Sequence, residues 1–112
     1  MTEYSSLVDI ATDHPAFAGH FPGHPILPGV LLLERVMTVA QTCLILPFKD
    51  CALHNVKFIA AVGPGDRLRV DLTLSGLGQY NFHVRIMKSG GAPEVLACSG
   101  QLRLAQVCGL QA

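Results

Sequence analysis

A histidine, a glycine and a glutamate fall within fifteen residues of this chain. They are His20, Gly29 and Glu34, in the run Gly-His-Phe-Pro-Gly-His-Pro-Ile-Leu-Pro-Gly-Val-Leu-Leu-Leu-Glu that starts at Gly19. Imidazole exchanges its proton near neutral pH, which makes His20 a candidate base. Glu34 lies in the most apolar part of the chain: from His14 to Phe48 it and Arg35 are the only formally charged residues. A carboxylate among apolar neighbours is costly unless paired, and burial raises its pKa, so Glu34 is a candidate acid. Two structural readings of Glu34 stay open at this point: an ion pair with an arginine elsewhere, or a place at an interface rim. Gly29 supplies a third element. The first turn of a helix offers unpaired N–H groups and the positive end of its dipole. The N–H groups of Gly29 and Val30 could therefore donate to a carbonyl oxygen that gains negative charge in a transition state.

The elements that must position these groups are legible from proline, glycine and periodicity. Residues 5–12 read as a short strand with Leu7, Val8 and Ile10 as its apolar positions. From Asp13 to Pro28, prolines at 15, 22, 25 and 28 forbid a helix, and a loop of this length is usually functional. Pro28 suits the first helical position, and the helix is expected to run to about Leu46, before Pro47. Lacking a polar stripe, that helix should be buried on most sides by the rest of the chain. On it, Glu34 neighbours Val30, Leu31, Met37 and Thr38, with Gln41 two turns on.

Period two follows, which signals strands. Residues 52–62 form a mostly apolar strand, and Gly63-Pro64-Gly65-Asp66 a turn. Leu68, Val70, Leu72 and Leu74 then face one way, against Arg67, Arg69, Asp71 and Thr73. After a turn at 75–79, Tyr80, Phe82, Val84 and Ile86 face inward; after a second turn at 89–93, Leu96, Cys98, Leu102 and Leu104 do. The tail from Ala105 reads as loosely held. Short turns between strands imply an antiparallel sheet, and the simplest architecture is a sheet curled around a central helix, an α+β fold.

The 112 residues make one domain, 1–112, small enough to lean on a partner copy. Only 14% of residues are charged, against roughly 25% in an average soluble domain, which favours a buried subunit interface. Net charge is zero and no basic run stands out, so the footprint of a nucleic-acid binder is missing. No Lys or Arg precedes Arg35, the wrong pattern for a secretory signal, and prolines interrupt the nearest candidate for a membrane span. Cys43, Cys51, Cys98 and Cys108 form no C-x-x-C pair and no zinc-like spacing. They read as reduced thiols of a cytoplasmic protein, with no metal expected.

His20-Phe21-Pro22-Gly23, Pro25, Pro28-Gly29-Val30-Leu31 and Glu34 together resemble the signature of the 3-hydroxyacyl-[acyl-carrier-protein] dehydratases of the hotdog fold. The resemblance continues through Val56-Lys57-Phe58, Val62 and Pro64-Gly65-Asp66 and covers nearly the whole chain. It implies a long helix wrapped by an antiparallel sheet, and a homodimer whose sheets join edge to edge, with a heterodimer or higher oligomer as the variants. It also implies sites at the dimer interface, where His20 of one subunit meets Glu34 of the other. The implied substrate is a (3R)-hydroxyacyl thioester on the phosphopantetheine arm of an acyl carrier protein. The implied product is the trans-2-enoyl thioester, formed without a cofactor. Phe21, Pro22, Gly23 and Pro28 then shape the substrate loop.

Three departures point away from the housekeeping fatty-acid enzymes. An N-terminal segment of theirs is absent, and Ile59, Ala60 and Ala61 stand where they usually carry basic residues and a proline. Thr38 stands where they have a helix glutamine. The chain is closer to the compact dehydratases of aryl polyene or other specialised lipid synthesis. A hotdog thioesterase and an inactive partner subunit of a hetero-oligomeric dehydratase are the alternatives; an inactive copy would be expected to have lost His20 or Glu34.

Overall fold

The structure is a computed structural model that describes residues 4–13, 26–44, 51–88, 90 and 92–104. The loop residues His20, Phe21, Pro22 and Gly23, the expected helix end at Leu46 and Pro47, and the tail from Ala105 lie outside the described residues. The elements run β1 (Tyr4–Asp9), α1 (Gly29–Leu44), β2 (Cys51–Phe58), β3 (Arg67–Gly76), β4 (Gln79–Met87) and β5 (Val95–Leu104). The strands form one five-stranded sheet in the order β1-β3-β4-β5-β2, antiparallel throughout. One helix against such a sheet is the hotdog arrangement implied by the resemblance.

The core forms where the strand alternation predicts it. Leu68, Val70 and Leu72 of β3 and Phe82, Val84 and Ile86 of β4 are buried on the inner face, while Leu74 is exposed near the hairpin tip. That hairpin closes in two residues, Leu77 and Gly78, with Gly76 paired to Gln79. Gly78 there adopts a φ of 69°, a conformation glycine reaches without steric cost. The Gly63–Asp66 turn also forms as expected. Asp66 accepts the Gly63 N–H at 2.8 Å, and Gly65 and Asp66 exchange two backbone bonds with Ile10, which pins the end of β1.

Three expectations about the strands need correction. Leu7 is exposed, because β1 alternates and its inward positions are the even residues, leading to the buried Ile10. The strand expected over 52–62 ends at Phe58: the N–H groups of Ile59 and Ala60 both reach the Ala97 carbonyl, at 2.8 and 3.2 Å, and the chain leaves the ladder. On β5 the register slips between Val84 and Arg85, so Ala97 and Cys98 are both buried and Leu96 only partly. A bulge of this kind breaks strict alternation.

The helix buries a single stripe, Leu32, Val36, Val39 and Ala40, at the spacing of one helical face. Val30, Glu34, Arg35, Thr38, Gln41 and Thr42 stay exposed. Burial on most sides is therefore not achieved within one chain, because a single sheet covers one side of a helix.

The outer face of the sheet carries an ionic network centred on Asp71, which is 5% exposed. Its carboxylate accepts from Ser5 Oγ at 2.7 Å, Arg69 Nε at 3.1 Å and Arg85 Nη1 at 3.0 Å, and Arg69 also makes a two-pronged pair with Glu94. Arg69 and Arg85 stand directly opposite each other across β3 and β4, so Asp71 separates two like charges. Asp71→Asn should lower unfolding free energy by about 1–3 kcal/mol in urea titration at neutral pH. Next in the same row, burial and then the Arg85 charge hold His83 below its ordinary 6.5, with Asp71 opposing. A histidine with a depressed folded pKa binds its proton first in the unfolded chain. Stability should therefore fall as pH drops through about 6.5, and His83→Gln should flatten that part of the curve of thermal midpoint against pH.

Candidate functional site

The helix start is fixed from outside the helix. The Leu27 N–H donates to the Val62 carbonyl at 2.7 Å, which ties the strap before the helix to the segment that follows β2. The Pro28 carbonyl accepts from Leu31 at 3.0 Å and from Leu32 at 3.2 Å. Pro28 is thus the capping residue and Gly29 the first helical one, a shift of one position from the expectation. The shift matters chemically. A Ser, Thr, Asp or Asn at the cap would turn its side-chain oxygen onto the first N–H groups. Proline has no such oxygen, and the first turn contains no acidic residue. Among the described residues, no acceptor meets the N–H of Gly29 or of Val30. Among the described residues, two donors at the positive end of the dipole are therefore without an acceptor.

Glu34 follows Val30 by four residues and so shares its face, about 6 Å along the axis. Both are exposed, Val30 at 73%. The apolar surroundings expected for Glu34 are thus not supplied by its own chain. Thr38 does not approach the Glu34 carboxylate; its hydroxyl donates to the Glu34 main-chain oxygen at 2.9 Å. The structure thus groups Pro28, Gly29, Val30 and Glu34.

A cavity of about 400 Å³ opens beside this helix end, lined by Ile26, Leu27, Gly29, Leu32, Phe58 and residues 59–62. The Phe58 ring lies against the Gly29 α-carbon: a Cβ placed on residue 29 would stand 2.7 Å from its Cζ and 2.9 Å from its Cε1. Phe58 was visible in the sequence only as part of Val56-Lys57-Phe58, and strict alternation gave no reason to aim it at the helix. Among the described residues no group of three or more His, Cys, Asp or Glu could hold a metal ion, and no helix is long and apolar enough to cross a membrane.

Comparison with known proteins shows the family and agrees with the fold. A family model described as ApeI-like, ApeI dehydratase, matches residues 2–100. A 3-hydroxyacyl-[acyl-carrier-protein] dehydratase FabZ from Geotalea uraniireducens is 39% identical over 75 residues, covering 59% of this chain and 52% of its own length. The FabZ of Legionella pneumophila is 33% identical over 110 residues, covering 87% of this chain and 70% of its own. The chain spans about half the length of the first curated relatives it matches. Among solved structures, an uncharacterized protein from Erwinia carotovora subsp. atroseptica aligns with a TM-score of 0.70 at 32% identity, over 89% of this chain and 80% of that one. The dehydratase heterocomplex ApeI:P from Xenorhabdus doucetiae aligns at 0.67 with 22% identity, over 95% and 97%, a likeness of fold.

Proposed function

Because the chain belongs to the ApeI-like dehydratase family, we propose that it removes water from a (3R)-hydroxyacyl thioester carried by an acyl carrier protein. The observation that carries the reading is the pair of open N–H groups at Gly29 and Val30, one turn before an exposed carboxyl on the same face. A thioester carbonyl accepting from those groups has its developing negative charge stabilised. Neutral His20 takes a proton from C2, and the electron pair forms the C2–C3 double bond. The C3 hydroxyl leaves with a proton from Glu34, directly or through an oriented water. One water and a trans-2-enoyl thioester result, so the step balances without a metal or organic cofactor. We assign Phe21, Pro22, Gly23 and Pro28 to the substrate loop on the strength of the family resemblance alone.

The site is completed by a second subunit, with His20 of one chain serving Glu34 of the other. Support comes from the open helix face and from β2, an edge strand whose last residue, Phe58, is exposed, as is the following Ile59. A homodimer is the first reading. A heterodimer is the second, favoured by the likeness to a dehydratase heterocomplex. The match to an ApeI-like model supports a polyene or specialised lipid pathway, and the cysteines read as reduced thiols favour the cytoplasm.

His20→Ala and Glu34→Gln should each slow hydration of a crotonyl thioester, the reverse reaction, by at least about 10²-fold. Full rate in both variants would sink the proposal. Proline is tolerated in a first helical turn and lacks the N–H. Val30→Pro should therefore keep the fold by circular dichroism yet cost about 10²-fold in kcat.

A further inference from the structure

Building on the dehydratase reading, we infer that Phe58 is a positioning residue that restricts the substrate to acyl thioesters unbranched at C2. The argument starts from a bulge. In β2, His54 pairs with Gln101 but Lys57 pairs with Ser99, so three steps on one strand match two on the other. The extra residue sits at Asn55, whose φ is 53° and whose side-chain amide donates to Gln101 Oε1 at 3.0 Å. Without the bulge, Lys57 would stand opposite Cys98. With it, Phe58 does. Directly opposed residues share a face of the sheet, and Cys98 is fully buried on the inner one. The bulge therefore turns an aromatic ring, in place of an ammonium, toward the helix start. Phe58 is still 56% exposed, because β2 is the edge strand.

The ring contacts the α-carbon of Gly29 and lines the cavity beside it. The Gly29 N–H projects from that same α-carbon's residue. In the inferred pose, a thioester carbonyl seated on the Gly29 and Val30 donors turns C2, and not the sulfur, toward the ring that lines the cavity. A methyl group on C2 competes with the ring for that space. Gly29 is needed for the same reason, since any Cβ there displaces the ring.

The test compares 3-hydroxybutyryl and 2-methyl-3-hydroxybutyryl pantetheine thioesters on the full chain. The wild type should prefer the unbranched one in kcat/KM by at least about 10-fold. Phe58→Ala should reduce that preference about 10-fold, with Phe58→Leu intermediate and Phe58→Tyr retaining it. Gly29→Ala should lower kcat/KM in the wild type at least about 5-fold more than it does when Phe58→Ala is already present. An unchanged preference in both Phe58→Ala and Phe58→Leu, or an undiminished Gly29→Ala effect, would overturn the inference and leave the dehydratase reading standing. No turnover of either thioester by the wild type would overturn that reading, and the inference with it.

Discussion

A five-stranded sheet covers one side of a 16-residue helix, and most features of this protein follow from that limit. The stripe Leu32, Val36, Val39 and Ala40 satisfies the helix against its own sheet. The opposite side, with Val30 and Glu34, meets solvent in a single chain. The half-covered helix lies beside an edge strand whose last residue, Phe58, and the following Ile59 are exposed, and these form the surface assigned to the partner in the proposed function. In the proposed function the partner both covers that surface and supplies the base. Low charge content and an incomplete site then have one cause.

Within one chain, the groups to which the proposed function assigns carbonyl binding are concentrated at the helix start. The Leu27–Val62 hydrogen bond anchors it, and a proline cap leaves two donors open where another capping residue would use them. The bulge at Asn55 brings the Phe58 ring beside those donors. Each device is a small local irregularity, and each lies within the same corner of the fold. On the far face of the sheet, the Asp71 network has a different role. It ties β1, β3, β4 and the turn before β5 together by satisfying charges that would otherwise oppose each other.

Periodicity made the sheet legible where strands pair without interruption. β3 and β4 pair regularly along most of their length, and their inward residues are those that alternation indicates. The turn at Gly63–Asp66 was legible because proline, glycine and aspartate each have a local reason to be there. Alternation failed at Leu96 and Ala97 and gave no facing for Phe58, since a bulge arises from pairing between distant strands and leaves no local pattern. The length of β2 was overestimated for a related reason: Ile59 and Ala60 share one carbonyl and leave the ladder despite their apolar character. At the site, Gly29, Val30 and Glu34 were legible as candidates from residue type and helix position. The exposure of Glu34 was not, because composition reports that a helix is apolar without saying which chain buries it.

The central claim is that a working site draws His20 from one subunit and Glu34 from another. Mixing His20→Ala with Glu34→Gln subunits under conditions that exchange them tests it most directly. A mixed dimer holds one site with both residues intact and one with neither. Random exchange of two nearly inactive proteins should therefore restore about one quarter of wild-type turnover. Activity that stays at the level of the separate variants, with exchange verified by native mass spectrometry, would contradict the account.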